Sequence, residues 1–544
     1  MCDGWGMKWI LGGLLVSGAL MGAELPVKAP ADGRLHLVVP ADAPPLRDIS
    51  MEGGVVQSGN WLEDKEAAQR LSDVGFPVNG WRWREYEIRF TPAADGEIEI
   101  FLNGPWAEKL PGTLWRQELL WDDVRLDGVA LVNGDFSRGI EGWESPWGPY
   151  PEAGTWPLDE AGYGASWHGR PLKRKIPVRA GVEMVLSFKV KAAREPGFIE
   201  PKRLGADTPA HRALAKLRRG VNLGNNWEAE PGTWGVGYGT GDIDAIAAAG
   251  FDHIRVPVAW HFHWRDGEID PAFLAELEPV LKRALEKGMA VMLDWHHYED
   301  FVKNPAAHRE AFVKGWGTIA RHFQSWPGDL WLELLNEPNG LLDGEILNEA
   351  HAAAIREIRK TNPERIIVVN PGAWSTVRML GDLRLPDDDD RIVVSVHCYD
   401  PFEFTHQGAS WVGLQDLKGI VFPGPPAEPV ELPEALADRP GLRLWLENYN
   451  RLPEARNPSS IRLVEAWLNE AAEWSRVYGR PVHLGEFGAF QTADLNSRSR
   501  YARAVREAAE KAGIPWCWWE WKAGFGLIDP RSGKELLIEP LMGR

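Results

Sequence analysis

The stretch "LWLELLNEPNG", residues 330–340, places an amide and a carboxylate where an apolar run stops. The run has strand character up to Leu335, and then come Asn336, Glu337 and Pro338. Proline has no N–H with which to extend a sheet ladder, so the strand ends there. Asn336 and Glu337 are left at its rim on rigid backbone. A carboxyl group held beside apolar surface has its charged form disfavoured and its pKa raised. Such a group can keep a proton near neutral pH and donate it.

The pattern around this stretch repeats. From Arg219 onward, short apolar runs alternate with helical periodicity: "GVNLGN", "HIRVPVAW", "AVMLDWHH", "LWLELLNEP", "RIIVVNPG", "IVVSVHCY", "PVHLGEFG" and "PWCWWEWK". A typical spacer, "DPAFLAELEPVLKRALEKG", begins after Asp270 with Pro271 in its first turn and stops at Gly288. Nearly continuous apolar strands imply burial on both faces, hence a parallel sheet. Eight such units predict a closed (β/α)8 TIM barrel.

Polar side chains gather at the C-terminal ends of these runs: Asn225 and Glu228; Arg255; His296 and His297; Asn336 and Glu337; His397 and Tyr399; Glu486; Trp519. In a barrel those ends open on one face, where active sites are built. Glu486 closes the seventh run and Glu337 the fourth, and these strands oppose each other across the barrel. Paired carboxylates across a cleft are the equipment of glycoside hydrolysis. A gap of about 5–5.5 Å retains anomeric configuration, whereas about 6.5–9.5 Å admits a water and inverts it. The sequence leaves that distance open, and rim ion pairs are the competing reading of both acids. His296, His297 and His397 are a candidate metal set, but neighbours on a strand point to opposite sides. No CxxC or HExxH spacing occurs, so neither metal nor cofactor is expected. Cys398, between His397 and Tyr399, is expected to point away from the cleft.

The first part of the chain reads differently. Residues 24–195 are expected to form an all-β sandwich, with "YEIRFTPAADGEIEIFLNG" as a hairpin and "MVLSFKVKA" as an alternating strand. The Pro-, Gly- and charge-rich residues 196–210 read as a linker, leaving 211–544 for the barrel. Residues 1–23 resemble a cleaved secretory signal, so a secreted chain is expected. No later stretch is apolar enough to cross a bilayer. The net charge of −18 argues against nucleic acid or an anionic membrane as partner. The 29 Trp residues suit stacking on the flat faces of sugars, although core packing is the competing use of each. The long segment 399–458 is expected to be functional, as long loops in compact domains are.

With these motifs in view, residues 210–530 resemble glycoside hydrolase family 5, a retaining (β/α)8 family with many endo-β-1,4-glucanases. "LLNEPNG" and "HLGEFGAF" carry the resemblance. "VNLGNNWEAEPG", "IRVPVAW", "HHYEDF", "HCYDPFEFTHQGASW" and "WEWKAGFGLID" support it. The resemblance implies that Glu337 is the acid/base and Glu486 the nucleophile. Asn336 would bond the sugar 2-hydroxyl. Arg255 and Tyr399 would hold Glu486, and His397 would orient Glu337. His296, His297, Asn225, Glu228, Trp411 and Trp519 would contact sugar. The implied partner is a β-linked glucan or mannan, taken up by a monomer. Bulky Trp227 departs from the pattern and puts the non-reducing-side subsites in question. "LVNGDFSRGIEGW" and "LLWDDVRLDGV" resemble the opening and closing strands of jelly-roll carbohydrate-binding modules, in inverted order. Trp81, Trp83 and Trp147 are candidate platforms there, with a spacer role the alternative.

Overall fold

The computed structural model describes residues 32–543, apart from 41–42, 45, 52–54, 65–68, 105–107, 111–112, 115–116, 146–162, 195–199 and 266. The signal-like residues 1–23 and Trp147 lie outside the described residues. The chain divides into two compact units: residues 1–199 with 410–463, and residues 200–409 with 464–544. Residues 410–463, in the long segment after the sixth barrel strand, thus group with the first unit.

In the first unit, two five-stranded antiparallel sheets share one core. One sheet runs Leu172–Val178, Gly96–Asn103, Asp32–Pro40, Gln69–Pro77 and Val55–Asp64. The other runs Gly164–Ser166, Leu119–Leu126, Met184–Ala192, Arg84–Thr91 and Arg47–Met51. Met184–Ala192 alternates buried and half-buried positions as its sequence predicts. The expected hairpin does not form. Arg84–Thr91 pairs with Met184–Ala192, whereas Gly96–Asn103 pairs with Asp32–Pro40 in the other sheet. The intervening Pro92–Asp95 turn carries the chain from one sheet to the other. It is tied to the 179–181 turn by Gly181 N–H to Pro92 O at 2.8 Å and Ala180 N–H to Asp95 Oδ1 at 2.8 Å. Both strands alternate, so crossing lets Ile88 and Ile100 enter the shared core from opposite sides. The "LVNGDFSRGIEGW" phrase is turn rather than strand. Asn133, at φ 58°, donates Nδ2–H to Gly139 O and Glu141 O, both 2.9 Å away, and buries Phe136 and Trp143.

The second unit is the barrel: β1 (Arg219–Asn222), β2 (His253–Val258), β3 (Ala290–Trp295), β4 (Leu330–Glu333), β5 (Ile367–Val369), β6 (Ile392–His397), β7 (Val482–Phe487) and β8 (Trp516–Trp518). All pairings are parallel and β8 closes onto β1. Helix Pro271–Glu286 forms where its signals place it. Asp270 caps it by accepting from Ala272 N–H at 2.9 Å, and Gly288 leaves it at φ 75°. Residues 200–210, expected as a linker, are bonded to this unit: Leu204 N–H donates to Tyr478 O and Tyr478 Oη–H to Glu200, each at 2.9 Å. Helix α1 (Pro209–Leu214) then packs Ala210 and Leu214 against Ala290, Met292, Trp331, Val368 and Val393.

Candidate active site

The strand ends hold several non-glycine residues at positive φ: Asn225 at 63° after β1, His297 at 52° after β3, Glu337 at 45° after β4, and Ala373, Trp374 and Ser375 at 47–62° after β5. L-residues avoid this region at a cost of about 1–2 kcal/mol each. Strain held on one face of a fold by the surrounding structure marks a functional surface.

Glu337 and Glu486 come together on that face. One carboxylate oxygen of each and a ring nitrogen of His397 lie within 4.8 Å of one another. His397 Nδ1 is 2.9 Å from Glu337 Oε1 and 3.8 Å from Glu486 Oε2. Burial lowers the His397 pKa to about 4, so the ring is neutral. Its proton belongs on Nδ1, which faces both acids, because Nε2 is buried without a partner. Tyr399 Oη–H donates to Glu486 Oε2 at 2.8 Å. Arg255 Nη1–H donates to Glu486 Oε1 at 2.6 Å.

The two acids differ in protonation. Burial pushes the Glu337 carboxyl up to about 7, with Arg255 opposing. Burial also raises Glu486, to about 6, against the pull of His397, Arg255 and the Tyr399 hydroxyl. The guanidinium therefore restrains Glu486 but does not bring it below the ordinary carboxylate range, because desolvation is the larger effect. Between these values Glu486 is mainly ionised and Glu337 mainly protonated.

Arg255 is the hub beneath the pair, and its side chain is fully buried. It grips Glu333 in a two-pronged bond, Nε to Oε2 at 2.8 Å and Nη2 to Oε1 at 3.0 Å. It also meets Asp294 Oδ2 at 2.9 Å, Asn336 Oδ1 at 2.8 Å and Asn222 Oδ1 at 3.0 Å. Asn222 spans the barrel in turn, donating to Gly485 O at 3.0 Å and Trp518 O at 3.1 Å. Reading the sequence missed Asn222, Asp294 and Glu333. The signal was present: an acid inside an apolar strand, as in "LWLELL" and "AVMLDW", must be paired when buried.

The remaining residues divide into several groups. His296 stacks on Trp519 with ring centroids 5.5 Å apart, and its Nδ1 lies 3.2 Å from Asp294 Oδ1. His297 is exposed beside it. Trp521 lies beyond the end of β8 at Trp518 and packs edge-on against Phe251. Glu228 is buried, with its carboxylate accepting the backbone N–H groups of Asn225 and Asn226. Glu520, also buried and missed from the sequence, accepts from Phe525 N–H at 2.9 Å. Burial raises both acids, Glu228 to about 7 and Glu520 to about 8. Trp227 is buried and gives its indole N–H to Glu276 at 2.8 Å, so its ring is committed to packing. Trp374, also missed, is 37% exposed, and its backbone N–H donates to Pro338 O, next to Glu337. Trp411 is 44% exposed on the Ser410–Val412 turn of the first unit.

Among the described residues, two groups have metal-ligand spacing: Glu337 with His397 and Glu486, and His253 with His483 and Cys517. His296 and His297 belong to neither. Cys398 is buried as a free thiol, with Sγ 3.9 Å from Asp400 Oδ2. No helix of the described residues is long and apolar enough to cross a membrane.

The family model for cellulase, glycosyl hydrolase family 5, matches residues 218–524. Endoglucanase H of Acetivibrio thermocellus is 28% identical over 321 residues, 58% of this chain and 31% of the relative. Endoglucanase 3 of Fibrobacter succinogenes is 28% identical over 353 residues, 61% of this chain and 52% of the relative. The chain thus spans about a third and about half of those two relatives. Among solved structures, Thermotoga maritima Cel5A in complex with cellobiose superposes with a TM-score of 0.53 at 31% identity, over 62% of this chain and all of that one.

Proposed function

The chain belongs to glycosyl hydrolase family 5, the cellulase family, and from that premise we propose that it is a secreted, retaining endo-β-1,4-glucanase. The observation that carries this reading is the meeting of a Glu337 carboxylate oxygen and a Glu486 carboxylate oxygen within 4.8 Å. That spacing favours direct attack on the sugar over attack by an intervening water.

In the proposed cycle Glu337 gives its proton to the glycosidic oxygen while a Glu486 oxygen bonds to the anomeric carbon. The bond to the leaving sugar breaks, and a glycosyl ester on Glu486 remains. Glu337, now ionised, takes a proton from water. The water oxygen bonds to the anomeric carbon, and Glu486 departs as carboxylate. Neutral His397 donates to whichever acid is charged. Arg255 and Tyr399 return Glu486 to its ionised state. Asn336, anchored on Arg255, offers its amide N–H to the 2-hydroxyl, and Trp519 and His296 line the ring being cleaved. His297, Asn225 and Glu228 contact sugar further along the chain.

The pH dependence follows from the two pKa values. Activity requires Glu486 ionised and Glu337 protonated. It is expected to fall on the acid side as pH drops through about 6, where Glu486 gains a proton. It falls on the alkaline side as pH rises through about 7, where Glu337 loses one. A profile of kcat/KM on a soluble cello-oligosaccharide checks this. A plateau extending well above pH 8 contradicts the assignment of Glu337 as acid.

Trp374 is bonded through its backbone to the loop that carries the acid. Its exposed ring is proposed as a stacking platform for the leaving sugar. Trp374→Ala is expected to raise KM for long cello-oligosaccharides about tenfold, while leaving rates on a short aryl cellobioside unchanged. Equal effects on both substrates would remove it from the leaving-group side.

Mannan is the second reading, because Thermotoga maritima Cel5A, 31% identical, is also described in complex with mannotriose. Initial rates on purified β-1,4-glucan, mannan, mixed-linkage glucan and xyloglucan decide among these substrates. Absence of reducing-sugar release from all four would contradict a hydrolase.

A further inference from the structure

Below the sugar-facing layer, the floor of the barrel holds polar groups that the hydrolytic chemistry does not use. His253 opens β2, His483 lies in β7 and Cys517 in β8, and all three side chains are fully buried. Strands β2 and β7 are not neighbours, so the 3.0 Å approach of His253 Nε2 to His483 Nε2 crosses the barrel interior. One nitrogen of each ring and Sγ of Cys517 lie within 4.8 Å of one another. Gly220 of β1 sits in register with both His253 and Cys517. A Cβ at that position would lie 2.3 Å from His253 Nε2 and 2.4 Å from Cys517 Sγ. The cluster therefore occupies the space that any larger residue would fill.

The outer nitrogen of His253 is fixed as well. Its Nδ1 is 2.5 Å from Asp252 Oδ1, and Asp252 accepts the backbone N–H groups of Arg218 and Arg219 at 3.0 and 3.2 Å. A carboxylate on the far nitrogen is the usual means of orienting a metal-binding imidazole. The apolar floor layer of Ala290, Met292 and Trp331, packed on α1, covers this end of the barrel.

We propose that His253, His483 and Cys517 form an internal site for one thiophilic divalent cation, with zinc the best fit. Two imidazoles and a thiolate suit zinc, whereas calcium and magnesium require oxygen ligands. The charges balance: the cation's two positive charges meet one thiolate and the Asp252 carboxylate. Zinc–nitrogen bonds of about 2.0–2.1 Å set tetrahedral ring nitrogens about 3.3 Å apart, a few tenths wider than they now lie. On binding, Cys517 loses its thiol proton to solvent. The proton shared between the rings moves to Nδ1 of His483, and His253 keeps its Nδ1 proton on Asp252. Two metal–nitrogen bonds and one metal–sulfur bond form, and water takes the fourth position. Because the site is closed, the ion enters during folding and ties β2, β7 and β8 together.

The test refolds the full chain from denaturant with equimolar Zn²⁺, with equimolar Co²⁺, or with chelator, and then removes free metal. One ion retained per chain, a cobalt–thiolate charge-transfer band and a higher melting temperature for the zinc form are expected. Cys517→Ala should lose both ion and band. The double variant C2S/C398A, with Cys517 as its only cysteine, should keep them. The Glu337–His397–Glu486 group contains no sulfur, so an ion there gives no such band. If Cys517→Ala does not fold, the band in C2S/C398A decides. A folded wild-type chain that retains no ion, or retains one without the sulfur band, overturns the proposal.

Discussion

Glu486→Gln is expected to lower kcat/KM on β-1,4-glucan by roughly 10⁴-fold or more, because the amide cannot form the glycosyl ester. Glu337→Gln is expected to cost about 10²–10⁴-fold on the same substrate, the usual worth of a positioned general acid. The two losses differ in kind. An aryl cellobioside with an acidic phenol needs no protonation to depart, so Glu337→Gln should still release the phenol in a burst and then stall at the ester. Glu486→Gln should show no burst. Both variants keep the shape of the side chain, and Arg255 and Tyr399 can still bond an amide oxygen at position 486, so the fold should persist. Circular dichroism and the melting temperature check that. Appreciable glucan hydrolysis by either variant would refute the role given to that residue.

The second large effect is on stability. Arg255 is fully buried and bonded to Asp294, Glu333 and Glu486. Removing it leaves three buried carboxyl groups without their cation. Arg255→Met is expected to destabilise the barrel by about 3–5 kcal/mol, the cost of breaking a buried ion pair from one side. It should also move the acid limb of the pH profile upward, because Glu486 loses a group that lowers its pKa. Arg255→Lys keeps the charge but not the two-pronged grip on Glu333, so an intermediate loss is expected. Chemical denaturation of the three proteins measures this. An unchanged midpoint for Arg255→Met would mean that the network is not a stabilising unit.

The barrel was legible because each strand carries its signal locally. "AVMLDW" and "IVVSVH" are buried on both faces, and Asp270, Pro271 and Gly288 punctuate a helix at both ends. The convergence of Glu337 and Glu486 was legible for a related reason: once eight strands close, the ends of the fourth and seventh must face each other. Pairing across long separations was not legible. "YEIRFTPAADGEIEIFLNG" reads as a hairpin because alternation and a turn are all that a local window contains. Which sheet each half joins is decided by residues 32–40 and 172–192. Asn222, Asp294 and Glu333 were missed for the same reason, since their common partner Arg255 lies 33–78 positions away from them. The end of β8 is a further case. Alternation extrapolated past Trp518 puts Trp521 beside Trp519, but the strand stops at Trp518 and Trp521 turns to Phe251.

Proton NMR of the anomers released from a defined cello-oligosaccharide, recorded before mutarotation, tests substrate, bond and stereochemistry in one spectrum. With a carboxylate oxygen of Glu337 and one of Glu486 within 4.8 Å, the new reducing end should emerge as the β anomer, with α growing in later. An α anomer at the earliest times would mean that water, not Glu486, attacks the sugar.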